Sequence, residues 1–147
     1  MKPESSQGMV KILFHDRDTT ITETLWATPV EPSLYQLDNS PFFAYGLSWQ
    51  DIVEARPRID DVLEYVRCVK KSGNRTLRVI FKDDRSTDPA AEEVLKGLCD
   101  LGCSYEGMPP RLISINLPPR VGLGNVTDFL KRQTGLQLET PTQPTSK

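Results

Sequence analysis

The sequence predicts an α+β fold with an antiparallel or mixed sheet, and its N-terminal half is expected to be partly barrel-like. Three observations support this fold class. Segments with alternating apolar and polar residues cluster in the first half, and two segments with helical spacing follow in the second half. The C-terminal half has the order strand, helix, strand, helix, and no regular βαβ repeat runs along the chain.

Length and composition are those of a small globular protein. The chain has 147 residues, of which 37% are hydrophobic and 26% charged, and this length suffices for one buried core. We therefore expect a single α+β domain over residues 9–135. A polar N-terminus over residues 1–8 and a Pro/Thr-rich tail over residues 136–147 are expected to be disordered.

Four strands are predicted in the first part of the chain, at residues 9–15, 21–27, 34–37 and 51–55. The turn residues Glu31-Pro32-Ser33 lie between the second and third of these strands. We therefore expect the second and third strands to pair as neighbours.

A hairpin is predicted over residues 62–82. Strands at residues 62–71 and 75–82 flank Ser72-Gly73-Asn74, and Gly and Asn tolerate the positive φ that tight hairpins require. The two strands are therefore expected to pair with each other.

The first predicted helix begins after Asp88, which is a good N-cap and is followed by Pro89 at the first helical position. Gly102 is expected to end this helix in a left-handed conformation. A strand at residues 111–117 and a second helix at residues 123–134 complete the domain.

Six segments of the chain match one known family. They are Leu25-Trp26-Ala27, Tyr35 to Ser48, Asp51 to Ala55, Ser72 to Phe81, Leu101 to Leu112, and Leu117-Pro118-Pro119. Through these segments, which cover most of the chain apart from its two ends, it resembles a bacterial domain-of-unknown-function family, number four-two-six-five. The chain departs from the family at Gln50, where the family has Gly, and at Tyr105, where it often has Trp. The resemblance implies no activity, and it supplies no catalytic residues.

Several classes of site are excluded by residue counts. His15 is the only histidine, so metal sites that need two or more histidines are ruled out. Three cysteines form no disulfide framework, and no motif for a bound cofactor or metal is present. The net charge of −2 does not demand a polyanionic partner. No apolar run is long enough for a membrane span, and we expect a cytoplasmic protein without cofactor, metal or membrane contact.

Two short segments suggest chemistry but have simpler interpretations. Asp83, Asp84 and Asp88 follow a predicted strand, where carboxylates sometimes form an enzyme site, and turn and N-cap roles are the interpretation we favour. Gly122-Leu123-Gly124 precedes the second helix, as in some phosphate sites, but a plain helix start is favoured in the absence of a phosphate-loop motif. We therefore favour a protein without enzymatic activity over an enzyme.

An aromatic segment is the first candidate for a binding surface. Phe42, Phe43, Tyr45 and Trp49 lie within eight residues, and aromatic side chains dominate the energetics of protein interfaces. If these side chains are exposed, the segment is a protein-interaction patch. If they point inward, they belong to the core, since aromatic rings bury large areas.

A basic and aromatic face of the predicted hairpin is the second candidate. Such a face grips RNA or single-stranded DNA by charge and stacking, or else it is the solvated face of an antiparallel sheet. Its residues are Tyr65, Arg67, Arg75, Arg78 and Lys82.

The sequence thus favours a small non-enzymatic protein-interaction or regulatory module, whose partner is another protein. Nucleic-acid binding through the hairpin face is the first alternative. An enzyme with a carboxylate-based site is the second.

Overall fold

The computed structural model describes residues 8–15 and 20–139. These residues divide into two compact units, which meet in sequence between Ser72 and Gly73. We call the N-terminal one the barrel unit and the C-terminal one the sheet unit. The α+β class is confirmed, whereas the expectation of a single domain over residues 9–135 stays a prediction.

The barrel unit is a five-stranded meander that closes on itself. Each strand pairs antiparallel with the one before it, and β5 returns to β1 in parallel through Ile12 with Leu63 and Leu13 with Glu64. The strands are β1 (Val10–His15), β2 (Thr22–Glu31), β3 (Leu34–Leu37), β4 (Ile52–Arg56) and β5 (Leu63–Lys70). The partly barrel-like first half and the pairing of β2 with β3 are therefore confirmed.

Alternation along the strands fills the barrel with apolar side chains. Ile12 and Phe14 on β1 and Leu25 and Ala27 on β2 are buried, and the residues between them are more exposed. Burying one such aliphatic or aromatic side chain stabilises the fold by about 1.5–3 kcal/mol. The remaining buried members of this core are Leu37, Leu47, Val53 and Ala55.

The sheet unit has the order strand, helix, strand, strand, helix, strand. Its strands form an antiparallel sheet in the order β7-β8-β6-β9, which is the arrangement of the split βαβ motif. The elements are β6 (Arg75–Phe81), α1 (Pro89–Asp100), β7 (Ser104–Met108), β8 (Leu112–Leu117), α2 (Leu123–Lys131) and β9 (Leu136–Leu138).

The ends of α1 follow the sequence signals. The Asp88 side chain accepts a hydrogen bond from the Ala90 N–H at 3.0 Å, and Pro89 occupies the first turn. Gly102 follows the helix with a φ of +100°, a conformation that side chains with a Cβ rarely adopt. The second helix likewise begins at the predicted residue 123.

The predicted hairpin over residues 62–82 is wrong. Its two strands exist as β5 and β6, but β5 pairs with β4 and β1, whereas β6 pairs with β8 and β9. Gly73 has the expected positive φ of +95°. The local turn signal was therefore read correctly, and long-range packing selected other partners for both strands.

Two strands were not predicted. Strand β7 is short and contains Gly107, and β9 has three residues. We expected Leu136–Leu138 to belong to the disordered tail, and instead they pair with β6. Residues 1–7 and 140–147 lie outside the described residues, so the expectation of disorder there stays a prediction.

Helices α1 and α2 are close together at Gly97. A Cβ built on Gly97 would lie 2.8 Å from Cε1 of the Phe129 ring, closer than real carbon atoms approach. By contrast, a Cβ built on Gly124, in α2, would meet nothing within 4 Å. The two helical glycines therefore differ in the space around them, while helix propensity favours alanine at both.

We predict that Gly97→Ala lowers the free energy of unfolding by about 1–3 kcal/mol, because overpacking against Phe129 outweighs the gain in helix propensity of about 1 kcal/mol. Gly124→Ala is the matched control, and we expect it to raise the free energy of unfolding by about 0.5–1 kcal/mol. Chemical denaturation followed by helical circular dichroism measures both. Equal stabilisation by the two substitutions would contradict the close approach of Phe129.

Candidate functional site

The predicted aromatic segment lies in the connection between β3 and β4, residues 38–51, and we call residues 39–50 of it the aromatic loop. It contains Phe42, Phe43, Tyr45 and Trp49, and none of its twelve residues is charged. It forms no regular helix or strand, so its backbone N–H groups need other partners.

One carboxylate holds the first part of the aromatic loop. Glu23 Oε2 accepts a hydrogen bond from the Phe42 N–H at 2.7 Å, and Oε1 accepts from the N–H groups of Phe43 and Ala44, both at 2.9 Å. Glu23 shares the inward register of Leu25 on β2 and is only partly buried. Three charge-assisted hydrogen bonds therefore fix the backbone that carries the first two rings.

A second carboxylate holds the last part of the aromatic loop. Asp51 is fully buried, and its oxygens accept hydrogen bonds from the N–H groups of Ser48 at 2.9 Å and Ser72 at 2.8 Å. Lys71 Nζ lies 2.5 Å from Asp51 Oδ2 and also donates to the Gly46 carbonyl at 2.6 Å. The buried charge is thus paired and hydrogen-bonded, as the burial of an ion requires.

Two residues of the aromatic loop have positive φ. Gly46 has a φ of +88°, and Gln50 has a φ of +70°. The left-handed region costs a residue with a Cβ roughly 1–2 kcal/mol. At position 50 a glycine would therefore fit the backbone with less strain than glutamine does.

The rings of the aromatic loop are neither wholly exposed nor part of the barrel core. Tyr45 is 55% exposed, while Phe42, Phe43 and Trp49 are half-buried. Among the described residues, the side chains that pack against the barrel core include Ala44 and Leu47 of the loop but none of these four rings. Leu47 therefore belongs to the barrel core, Ala44 packs against it, and a protein-interaction role of the four rings stays a prediction.

The hairpin-face residues on the barrel unit are engaged within that unit. The Tyr65 ring lies 4.7 Å from the Phe14 ring, and burial raises the pKa of its hydroxyl. Arg67 Nε lies 2.8 Å from Glu54 Oε1, in an ion pair whose arginine is largely exposed. An exposed pair of this kind contributes at most about 1 kcal/mol.

The other members of that face belong to the sheet unit. Arg75 donates to the carbonyls of Pro118, at 2.8 Å, and Val121. Arg78 is only 3% exposed, whereas Lys82 is exposed. The hairpin that was to bring these five side chains together is absent, and nucleic-acid binding by them stays a prediction.

The candidate acids have local structural roles, and burial lowers the reactivity of two of the cysteines. Asp84 accepts from the Ser86 N–H at 2.9 Å, which is the first cause of its lowered pKa, and Asp88 caps α1. Burial raises the pKa of the Cys68 and Cys103 thiols, which disfavours the nucleophilic thiolate. No group of three or more His, Cys, Asp or Glu side chains that could hold a metal occurs in residues 8–15 and 20–139.

The structure gives the positions of two further residues considered in the sequence analysis, His15 and Gly122. His15 is exposed at the end of β1, and residues 16–19, which follow it, lie outside the described residues. Gly122 is the N-cap of α2 and makes no side-chain capping bond. No helix of the described part of the chain is both long and apolar enough to cross a membrane.

Sequence reasoning missed Glu23 and Asp51, which hold the aromatic loop. The signal for Glu23 was its register, because it shares the face of Leu25 and Ala27 on β2, where an acid needs hydrogen-bond donors. Asp51 carried no comparable signal, since acids are common next to a strand.

We predict that Glu23→Gln lowers the free energy of unfolding by about 1–3 kcal/mol, because a neutral amide replaces a carboxylate that accepts three N–H bonds. Amide hydrogen exchange of Phe42, Phe43 and Ala44 should accelerate with it. The control is Glu31→Gln, at the exposed end of the same strand, with an expected change within about 0.5 kcal/mol. Unchanged exchange at all three amides would refute the anchoring role of Glu23.

We predict that Gln50→Gly raises the free energy of unfolding by about 0.5–1 kcal/mol, because relief of the positive φ exceeds the added entropy of the unfolded chain. Gln36→Gly, within strand β3, is the matched control and should be destabilising. Urea denaturation gives both values. A similar loss at the two positions would show that position 50 is unstrained.

Comparisons with known proteins bear on fold and family. A structure described as "Novel crystal structure of a hypothetical protein from Neisseria gonorrhoeae" is similar to this chain, with a TM-score of 0.72 and 20% sequence identity. The match covers 90% of this chain and 92% of that one, and at such identity it shows the fold alone. No curated protein matches the chain.

The family model for a domain of unknown function, DUF4265, matches residues 23–139. This range includes Glu23, the whole aromatic loop and all elements of the sheet unit. The resemblance inferred from the sequence is thereby confirmed, and the chain belongs to the DUF4265 family.

Proposed function

We propose that the protein is a non-enzymatic interaction module, and that the aromatic loop binds a protein partner. The observation that carries the proposal is a surface loop with four aromatic rings on a backbone fixed by two carboxylates. Aromatic side chains supply large contact areas with few rotatable bonds, and they are enriched among residues that dominate binding energy.

The fixed backbone of the aromatic loop is a second feature that supports binding, besides the exposure of its rings. Ordering of a loop on association reduces affinity, and a loop held before binding avoids that cost. Glu23 fixes the segment from Phe42 to Ala44, and Asp51 with Lys71 fixes the segment from Gly46 to Ser48. The rings are therefore presented from a preorganised backbone.

The charge of the loop indicates the kind of surface it fits. Residues 39–50 carry no charged side chain, and the carboxylates of Glu23 and Asp51 are occupied by donors of the protein itself. A neutral apolar pocket on a partner matches this loop, because no charge is left unpaired on contact.

The proposal predicts that Phe43→Ala and Tyr45→Ala each weaken partner binding by about 1–4 kcal/mol. Ile59→Ala is the matched control, since Ile59 is fully exposed on another loop of the barrel unit. The tagged protein is isolated from its native host with and without nuclease, and the recovered partner is quantified for each variant.

The proposal is supported by a stoichiometric partner that survives nuclease, persists with Ile59→Ala and is lost with both loop variants. It fails if the partner is retained equally by all three variants. Recovery of nucleic acid, or of proteins lost on nuclease treatment, would instead favour the binding face of Tyr65, Arg67 and their neighbours.

A further inference from the structure

The sheet unit has an open edge at β7, independent of the aromatic loop. Strand β7 is the last strand on its side of the sheet, and its register with β8 is regular over all five residue pairs. Natural sheets protect such an edge with charged residues, especially Lys, with Pro or with a bulge. The sequence of β7, Ser-Tyr-Glu-Gly-Met, has no Lys, Pro or bulge, and Glu106 is its one charged residue.

The register shows which backbone groups point outward. The Phe81 N–H donates to the Arg111 carbonyl at 2.8 Å, which fixes the alternation of hydrogen bonds along β8. Arg111 directly precedes β8, so the odd-numbered residues of β8 bond to β6 and the even-numbered residues bond to β7. These even-numbered residues pair with the even-numbered residues of β7. The N–H and C=O groups of Tyr105 and Gly107 therefore point away from the sheet.

These four backbone groups belong to exposed residues. Tyr105 is 36% exposed, and Gly107 is exposed as well. Among the described residues, no hydrogen bond is made to the outward groups of Tyr105 and Gly107. An outward row of unpaired N–H and C=O groups is a template for another extended strand.

An arginine lies beside this edge. The Arg85 N–H donates to the Pro110 carbonyl at 3.1 Å, and its side chain packs against the bare face of Gly107. A Cβ built on Gly107 would lie 2.8 Å from Arg85 Cζ, so glycine makes room for the guanidinium. Arg85 Nε is buried without a hydrogen-bond partner in the described part of the chain.

We propose that the outer edge of β7 binds an extended, acidic segment of a partner polypeptide as an added strand, and that Arg85 meets its carboxylate. Residues directly opposite each other in neighbouring strands share a face, so the acid lies opposite Gly107. Glu106 points to the other face, where a neutral or basic residue of the partner segment fits. Charge complementarity therefore selects an acidic segment over a basic one.

The test uses three capped seven-residue peptides of alternating Thr and Val. One has a central Glu, and one has a central Lys. The third has the central Glu and is N-methylated at the alternate residues whose N–H groups would face β7. Each is titrated into the ¹⁵N-labelled chain of 147 residues. We expect the Glu peptide to shift the amide signals of Tyr105 and Gly107 most, and to bind at least about fivefold tighter than the Lys peptide. The N-methylated peptide should not bind, since its outward donors are blocked.

Two substitutions test the residues. Arg85→Gln should abolish the preference for the Glu peptide over the Lys peptide. Tyr105→Pro should abolish binding of all peptides, because it removes an outward N–H and leaves the bonds to β8 in place. Tyr105→Thr, which keeps that N–H, is its control. If Tyr105→Pro impairs folding, the N-methylated peptide and Arg85→Gln still decide the question.

The proposal is overturned by equal binding of the Glu and Lys peptides, by shifts confined to residues 39–50, or by the absence of shifts at Tyr105 and Gly107 at millimolar peptide. Concentration-dependent dimers in sedimentation that Tyr105→Pro disrupts would also overturn it, since a second copy of the chain would then occupy the edge. Each result is separate from the partner-capture experiment, because that experiment concerns the aromatic loop.

Discussion

Three backbone N–H groups converge on the carboxylate of Glu23, and the candidate binding surface depends on that convergence. The connection from β3 to β4 makes no helix or strand, so water or side chains must satisfy its backbone. Glu23 supplies the acceptors at one end of the loop and Asp51 at the other. The loop buries Leu47, packs the partly buried Ala44 against the barrel core and leaves the large rings outside that core.

Local signals predicted much of the fold, and non-local pairing accounts for what was missed. The Asp88 cap, Gly102 and most strand positions depend on residues close in sequence, and they appear where the sequence places them. The pairing of β6 with β8 and β9 depends on burial against α1 and α2, which no turn signal records. For the same reason Ser72-Gly73-Asn74 indicated a turn but not which strands it joins.

The candidate site was predictable only in its residue types. Clustering of Phe42, Phe43, Tyr45 and Trp49 marked the loop, yet the backbone that carries the first two rings is held by a distant carboxylate on β2. The hairpin predicted to carry the basic face is absent, because β5 and β6 belong to different sheets, and Arg78 on β6 is buried. Composition thus identifies candidate contacts, and register decides which of them lie together.

Both tryptophans of the chain, Trp26 and Trp49, belong to the barrel unit. The Lys11 Nζ atom lies over the Trp26 ring, 5.2 Å from the ring centroid. The Trp49 indole N–H donates to Asp38 Oδ1 at 3.3 Å. Both described helices belong to the sheet unit. Intrinsic tryptophan emission therefore reports on one half of the molecule and far-ultraviolet helical ellipticity on the other, so unlabelled protein already carries a separate optical probe for each half.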